Sequence, residues 1–468
     1  MKMTFTIAAI MLLMLVGCDK EIDTLNELPD NNEIIVDDIT ISPITLCLNQ
    51  VTSTTATFSA QLNMDLMAEY QEAGFLYSTE ERLDVESELT TKVKVSREYY
   101  SETIVDLFYN TDYYYTVYTV KNGVYHYGDT QSFKTDNLVG IIDLSQDSSA
   151  NCYIVSKPGI YEFETVQGNS EISVGNVASV SVLWESFGTD EVPSVEDLIK
   201  STYRREDYIA FQAPDTFNEG NAVIAAIDIN GEILWSWHIW FTDRPEEQIY
   251  KRNAGTMMDR NLGATSSIPG DVRALGLLYQ WGRKDPFLGS SSISSAHLAK
   301  STIEWPAPIS SDELTGTVNY TIAHPTTYIK NSPNWYYSSN TDHTLWSSQK
   351  TIYDPCPPGW RVPDGGEKSI WAKAINSANG FKCSYDSSNN GIEFTEIFGN
   401  GDDIIWYPCA GYRKYSSGGQ LGMYWFAVYW SANIYRCFSF EDSGYAHPNE
   451  YYDALADGRS VRCQKIGS

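Results

Sequence analysis

Residues 222–241 have the sequence AVIAAIDINGEILWSWHIWF. Two apolar runs, at 222–229 and 232–241, flank Asn230-Gly231, a dipeptide typical of the two-residue type I′ turn of a β-hairpin. Along the second run, the side chains of one face are Ile233, Trp235, Trp237 and Ile239, and those of the other are Leu234, Ser236, His238 and Trp240. Both faces are largely apolar, which predicts a strand covered on both sides and a mostly β fold.

A β-sandwich-like domain is predicted around this hairpin, at residues 137–245, with a further strand at 208–211. His238 is a candidate catalytic residue, but one histidine among three tryptophans is more typical of a packed strand. Asp228, Asn230 and Glu232 imitate part of a calcium loop, although the remaining ligand positions of an EF-hand are absent. A hairpin is the simpler interpretation of these residues.

Residues 39–136 also show strand alternation, for example in the run at 112–120, and Asn122-Gly123 predicts a second type I′ hairpin. The segments 73–79 (AGFLYST), 107–118 and 132–135 (SFKT) resemble bacterial fibronectin type III modules. The resemblance implies a β-sandwich that acts as a spacer. The alternative function is a binding face on its tyrosine-rich strands.

The first 18 residues are typical of a secretory signal peptide: Lys2 precedes an apolar run at 5–16 that is too short to span a bilayer. Leu15-Val16-Gly17-Cys18 resembles a bacterial lipobox, which implies that Cys18 carries lipid; an ordinary signal peptide with an incidental cysteine is the alternative. Residues 19–38 form an acidic tether whose start resembles the surface-export signal of Bacteroidetes lipoproteins. The expected location is the outer membrane, at the cell surface, through a lipid anchor.

Composition limits the classes of function. The 468 residues, enough for about three domains, include 32 basic and 61 acidic side chains, a net charge of −29. Such a chain repels phosphate polyanions, so no nucleic-acid partner is expected. The six histidines show no metal-ligand spacing, and we predict no metal and no cofactor.

Residues 254–468 are rich in tryptophan, glycine and serine and contain a series of short motifs. In chain order these are 258–263 (MDRNLG), 276–287 (GLLYQWGRKDPF), 354–363 (DPCPPGWRVP), a helical stretch at 366–378, 430–432 (WSA) and 459–465 (RSVRCQK). This series resembles the Fibrobacter succinogenes major paralogous domain, which implies a loop-rich α+β fold related to C-type lectins and formylglycine-generating enzymes. With the upstream Trp-rich strand, it is also similar to tip or ancillary subunits of Bacteroidales fimbriae.

The resemblance implies a disulfide between Cys356 and Cys463, because the first and last segments of such domains pair as neighbouring strands. The sequence leaves open whether the remaining cysteines form disulfides with one another. They are Cys47, Cys152, Cys383, Cys409 and Cys437. The relation to formylglycine-generating enzymes implies a metal held by a cysteine pair, for which Cys409 and Cys437 are candidates, but the sequence around neither reproduces the cysteine motif of those enzymes. We therefore predict that the protein is not an enzyme, with a surface hydrolase or oxidase as the less favoured alternative.

Loop aromatics are the candidate ligand-binding residues. They are Trp335, Tyr336, Tyr337 and Trp346, with Tyr412 and Tyr415 as a second patch. Large rings beside short polar side chains, here Asn331, Ser332, Asn334, Ser338, Ser339, Asn340 and Asp342, are typical of binding loops. The alternative is that these rings fold back and cover the core. The calcium-lectin triplets Glu-Pro-Asn and Gln-Pro-Asp are absent, which disfavours calcium-dependent sugar binding.

The expected function is that of an adhesin or ligand-binding protein, in the manner of a fimbrial tip subunit. Its expected partners are the outer membrane, and glycans, host or matrix proteins, or other pilus subunits. A structural pilus component without a ligand of its own is the alternative within the binding class.

Overall fold

The computed structural model describes residues 42–87, 89–105, 107–205, 207–337, 344–394, 405–421 and 426–467. The predicted signal peptide, Cys18 and the acidic tether lie outside these ranges. Within them, every helix is too short or too polar to span a bilayer. The chain is mostly β and contains several separate sheets, as the sequence predicted.

The N-terminal segment is a β-sandwich. Its strands are β1 Ile44–Val51, β2 Ala56–Leu62, β3 Glu72–Ser78, β4 Thr91–Lys94, β5 Tyr99–Ile104, β6 Asp112–Lys121, β7 Val124–Tyr127 and β8 Gln131–Lys134, with the short helix α1 Met64–Met67 after β2. One sheet has the order β1-β2-β5, and the other the order β4-β3-β6-β7, with β8 also paired to β6. Phe58 packs against Phe75 across the sandwich, with ring centroids 5.0 Å apart.

The second segment is also a two-sheet sandwich. Its strands are β9 Ile142–Asp143, β10 Cys152–Val155, β11 Gly159–Glu164, β12 Ser179–Ser186, β13 Ser201–Arg205, β14 Tyr208–Ala213, β15 Gly220–Ile227 and β16 Ile233–Phe241. The sheets have the orders β10-β16-β15-β12 and β13-β14-β11-β9. Strand β16 carries Trp235, Trp237 and Ile239 into the core between these sheets.

The two Asn-Gly turns differ. Asn122 and Gly123 both have positive φ, 54° and 80°, as the predicted type I′ turn requires. At the β15–β16 hairpin Gly231 has a positive φ of 85°, but Asn230 does not have a positive φ. The type I′ prediction is therefore wrong at Asn230-Gly231. Here Asp228 closes a longer loop, because its carboxylate accepts the backbone N–H groups of Asn230 at 2.9 Å and Glu232 at 2.8 Å.

Short strands and two short α-helices make up the C-terminal segment. The strands are β17 Glu247–Tyr250, β18 Gly255–Met258, β19 Leu278–Gln280, β20 Ile309–Ser310, β21 Ile329–Lys330, β22 Trp360–Arg361, β23 Phe381–Lys382, β24 Ser384–Asp386, β25 Gly391–Phe394, β26 Ile405–Pro408, β27 Tyr412–Arg413, β28 Gln420–Leu421, β29 Phe426–Trp430, β30 Arg436–Glu441, β31 Tyr445–Tyr451, β32 Gly458–Ser460 and β33 Gln464–Lys465. The α-helices are α2 Val318–Ala323 and α3 Ile370–Ile375, and 3₁₀ turns lie at Val272–Ala274 and Gly366–Lys368. The helix predicted at 366–378 is thus shorter, and it ends where Asn376 adopts a left-handed conformation.

The ends of this segment meet in one sheet of order β17-β18-β33-β22. Met258 donates its backbone N–H to the carbonyl of Cys463 at 3.0 Å, and Trp360 of β22 pairs with Lys465 of β33. This pairing brings together the two cysteines of the predicted disulfide, and the Cys356–Cys463 bond is present.

Packing crosses the boundary predicted between 245 and 254. The far face of the β15–β16 hairpin contributes Val223 and Trp240 to a core that continues into Leu262 and Trp281. The side-chain amide of Asn151 donates to the carbonyls of Ile352 and Asp354 at 2.7 and 2.9 Å. The second and C-terminal segments therefore share a core, and their predicted limits as separate domains stay predictions.

Candidate functional site

Two of the predicted binding rings lie in the core. Trp335 is 1% exposed and Trp346 is fully enclosed. Their indole N–H groups donate to the carbonyls of Trp281 at 2.7 Å and Tyr353 at 2.9 Å. The alternative left open by the sequence, that these rings cover the core, describes both of them. We remove them from the candidate site, because an enclosed ring offers no face to a ligand.

Tyrosines from both predicted patches stay accessible. Tyr337 is 53% exposed, and Tyr336, Tyr412 and Tyr415 are partly buried. The ring of Tyr336 meets Trp335 edge to face, with centroids 5.7 Å apart, and so lies over the core. The flanking residues Ser338, Ser339, Asn340 and Asp342 lie outside the described ranges.

The structure joins the loops that carry the two patches. Asn331, at a positive φ of 70°, donates its backbone N–H to the carbonyl of Tyr415 at 2.8 Å. On the other side of Tyr415, its own N–H donates to the carboxylate of Asp457 at 2.7 Å. We call the group formed by Tyr336, Tyr337 and Tyr415 the tyrosine surface. Its two loops are about 80 residues apart in sequence; the Asn331–Tyr415 backbone hydrogen bond joins them, and Tyr336 and Tyr415 pack against the same core.

Tyr412 has a structural role. Its ring lies against the buried guanidinium of Arg459, whose central carbon is 3.8 Å from the ring centroid of Tyr412. The same carbon is 4.4 Å from the ring centroid of Tyr452. Arg459 also donates to the carboxylate of Asp457 at 2.6 Å. The cation is desolvated, so it depends on this carboxylate and these rings, and Tyr412 is committed to it.

His238 does not have the surroundings of a catalytic residue. Its side chain is 2% exposed, and its Nε2 lies 2.9 Å from the side-chain oxygen of Asn221. Burial lowers the pKa of His238 to about 3, so the ring is neutral at physiological pH. It is a packed strand residue, as the sequence favoured.

Cys409 and Cys437 belong to different cores, one with Tyr407 and Phe394 and the other with Trp430 and Cys463. Burial raises the pKa of Cys409 to about 12, so its side chain is a protonated thiol at physiological pH. Within the described ranges no three His, Cys, Asp or Glu side chains are grouped as metal ligands. The arrangement does not resemble a paired-cysteine metal centre.

A serine-rich groove of about 800 Å³ lies where the loop after β12 meets the C-terminal segment. It is lined by Asp190, Ser291, Ser292, Ser295, Ala296, His297, Leu298, Lys300, Gly419 and Gln420. No motif in the sequence predicted this groove. The signal available in the sequence is the run SSSISSAHL at 290–298, which has too little aliphatic bulk for a core element.

No protein-family model and no curated protein matches the chain. The C-terminal resemblance therefore has no support from a family model. Among solved structures, two fibronectin type III domains of chicken tenascin align at 12% identity and a TM-score of 0.15, covering 42% of this chain and 97% of that one. The FN1-FN3 domains of chicken CNTN1 align at 11% identity and a TM-score of 0.18, covering 46% and 74%. The sensor domain of the anti-sigma factor RsgI4 of Pseudobacteroides cellulosolvens aligns at 22% identity and a TM-score of 0.16, covering 21% and 100%.

Proposed function

We propose that the protein is a lipid-anchored, cell-surface adhesin or ligand-binding protein, and that the tyrosine surface of its C-terminal segment contacts the ligand. The observation that carries this proposal is the Asn331–Tyr415 hydrogen bond, which joins two tyrosine-bearing loops. Rings held at a surface beside short polar side chains provide contact area at low entropic cost, because a tyrosine has few rotatable bonds.

The polar neighbours supply directional partners. Asn334 accepts the backbone N–H of Tyr336 through its side-chain oxygen at 3.1 Å, and the backbone N–H of Asn331 donates to the carbonyl of Tyr415. A sugar or a polypeptide offers C–H faces to the rings and hydroxyl or amide groups to such side chains. Glycans, matrix proteins and pilus subunits all present this chemistry.

The N-terminal sandwich is suited to a spacer that is fixed to the rest of the chain. Tyr109 donates its hydroxyl to the carboxylate of Glu162 at 2.5 Å, and the guanidinium of Arg204 lies over Phe108, 4.0 Å from the ring centroid. Leu138 and Ala210 are buried between the two segments. A ligand site beyond such a junction is held at a set distance from the N-terminal sandwich.

A glycan and matrix-protein array with the purified chain from Asp19 tests the proposal. We expect reproducible hits that weaken at least tenfold in the Tyr337→Ala, Tyr415→Ala double variant. Tyr99→Ala, which removes a 70% exposed ring from the N-terminal sandwich, is the matched control and should keep every hit. Absence of hits with wild type, or hits unaffected by the double variant, would contradict the tyrosine surface and favour a structural pilus component.

The anchor is tested separately. Cys18→Ser should move the protein from the membrane fraction to the soluble fraction, because the acyl chains supply most of the membrane affinity. Protease added to intact cells should digest the wild-type protein. Membrane association that survives Cys18→Ser, or protection from protease until the cells are permeabilised, would count against surface anchoring.

A further inference from the structure

We propose that the serine-rich groove binds an oligosaccharide that carries a carboxylate. The groove is a second site, distinct in its residues from the tyrosine surface, and the proposal does not depend on that surface. Its volume of about 800 Å³ lies in the range typical of small-molecule sites. Its walls come from the loop after β12, the serine-rich loop at 290–298 and the hairpin between β27 and β28.

The serine-rich wall is held in one conformation. The hydroxyl of Ser290, 2% exposed, lies 2.8 to 3.0 Å from the carbonyl oxygens of Ser292, Ser295 and His297. From outside the loop, the side-chain amide of Asn390 donates to the carbonyl of Ile293 at 2.6 Å. These bonds fix the backbone of the loop that carries Ser291, Ser292 and Ser295 into the groove, which lowers the entropic cost of binding.

Lys300 and Asp190 supply one cation and one anion to the lining of the groove. Lys300 donates its backbone N–H to the carbonyl of Thr189 at 2.9 Å, and its own carbonyl accepts the hydroxyl of Ser186 at 2.6 Å. Asp190, the next residue after Thr189, lines the same groove. Within the described ranges neither Lys300 nor Asp190 takes part in an ion pair, so both charged groups remain open to a ligand.

These groups match one ligand chemistry. The ammonium of Lys300 suits a carboxylate, while the carboxylate of Asp190 and the serine hydroxyls suit sugar hydroxyls. His297 supplies an aromatic ring to the lining, and Ala296 and Leu298 supply aliphatic side chains. A charged, polyhydroxylated ligand therefore has a polar partner on each wall, and its C–H groups pack on the apolar part of the lining.

The test is an NMR or calorimetric titration of the purified chain from Asp19 with a linear trisaccharide of uronic acids and with its carboxyl-reduced, neutral counterpart. We expect saturable binding of the acidic sugar, and at least tenfold weaker binding of the neutral one. Lys300→Gln should weaken the acidic sugar at least tenfold, about 1.4 kcal/mol, and leave the neutral sugar unchanged. Lys157→Gln, at another exposed lysine, is the matched control and should bind as wild type does.

Three results would overturn the proposal: no saturable binding of the acidic sugar at millimolar concentration, equal affinity for the neutral sugar, or unchanged affinity in Lys300→Gln. Thermal unfolding of each variant confirms that it is folded. Tyr337→Ala separates the two sites. Loss of acidic-sugar binding in Tyr337→Ala would place the sugar on the tyrosine surface and contradict the groove.

Discussion

Trp335 and Trp346 lie in a stretch of sequence dominated by serine and asparagine, and yet both indoles are enclosed. Each ring removes a large apolar area from water, and each N–H group finds a backbone carbonyl, so neither loses a hydrogen bond on burial. Tyr337, in the same stretch, keeps 53% of its surface exposed. Aromatic residues of the same serine- and asparagine-rich stretch thus differ in burial: the two tryptophans are enclosed, and Tyr337 is exposed.

Substitution distinguishes these roles. Trp335→Ala or Trp346→Ala should lower the free energy of unfolding by about 3 to 5 kcal/mol, because each leaves a cavity in the core. Tyr337→Ala should change it by less than about 0.5 kcal/mol. Urea denaturation followed by circular dichroism measures both. A tryptophan variant as stable as wild type would show that the ring is not part of the core.

Glu185 is a buried carboxyl group whose ionisation should lower the free energy of unfolding. Its Oε1 accepts the backbone N–H of Ile199 at 2.7 Å. Burial nevertheless outweighs this bond and raises the pKa of Glu185 from 4.5 to about 7. The folded state therefore favours the protonated form. Stability should fall as pH rises from about 4.5 to about 7 and then stay level, because the unfolded chain ionises first.

Glu185→Gln should remove this dependence. As the pH rises from 5 to 8, the free energy of unfolding of the variant should increase relative to that of wild type by on the order of 1 to 3 kcal/mol. The quantity to measure is the free energy of unfolding of the variant minus that of wild type, at pH 5 and at pH 8. The change in this quantity between the two pH values cancels any constant effect of the amide. Glu80→Gln, at an exposed position, is the control. Parallel stability curves for wild type and Glu185→Gln would contradict the assignment.

Between elements, the two Asn-Gly turns show what a dipeptide leaves undecided. The β6–β7 turn needs two residues with positive φ, and Asn122 and Gly123 supply them. The β15–β16 turn is wider because the carboxylate of Asp228 accepts backbone N–H groups within it. A nearby side chain thus selects between two geometries that the same dipeptide permits.

The two asparagines should differ in their cost of substitution. Asn122→Ala should lower the free energy of unfolding by about 1 kcal/mol, because alanine tolerates positive φ less well. Asn230→Ala should cost less than about 0.5 kcal/mol, since its φ is not positive and its side chain makes one exposed hydrogen bond, to Asp228. Denaturation of the two variants side by side is the measurement. An equal or reversed order would contradict the turn assignment.

At the scale of the whole molecule, shared packing links the second and C-terminal segments. Strand β16 places Trp237 in the sandwich core and Trp240 in the core continued by the C-terminal segment. Deletion of residues after 245 would expose Trp240 and Val223 to water. Point variants are therefore better probes of the binding surfaces than truncations.

Removal of the Cys356–Cys463 disulfide should strongly destabilise the second and C-terminal segments, which share a core. The bond closes a loop with a sequence separation of 107 residues, and for about 100 residues the loop-entropy model predicts a loss of roughly 4.7 kcal/mol, which native-state relaxation reduces. Calorimetry of the Cys356→Ala, Cys463→Ala double variant should show a large fall in Tm. Cys47→Ser, in the N-terminal sandwich, should not reproduce it. A double variant with the wild-type Tm would show that the strand pairing of β18, β22 and β33 suffices.

Local patterns predicted the β class, the hairpin strands around Trp235 and Trp237, and the Asn122-Gly123 turn, because side-chain alternation and turn chemistry depend on residues close in sequence. A resemblance in the order of the C-terminal motifs predicted the disulfide. The enclosure of Trp335 and Trp346, the meeting of Asn331 with Tyr415 and the groove around Lys300 depend on contacts between residues far apart in the chain. No local pattern contains that information, so only the packed structure could decide which aromatic rings are core and which remain open to a ligand.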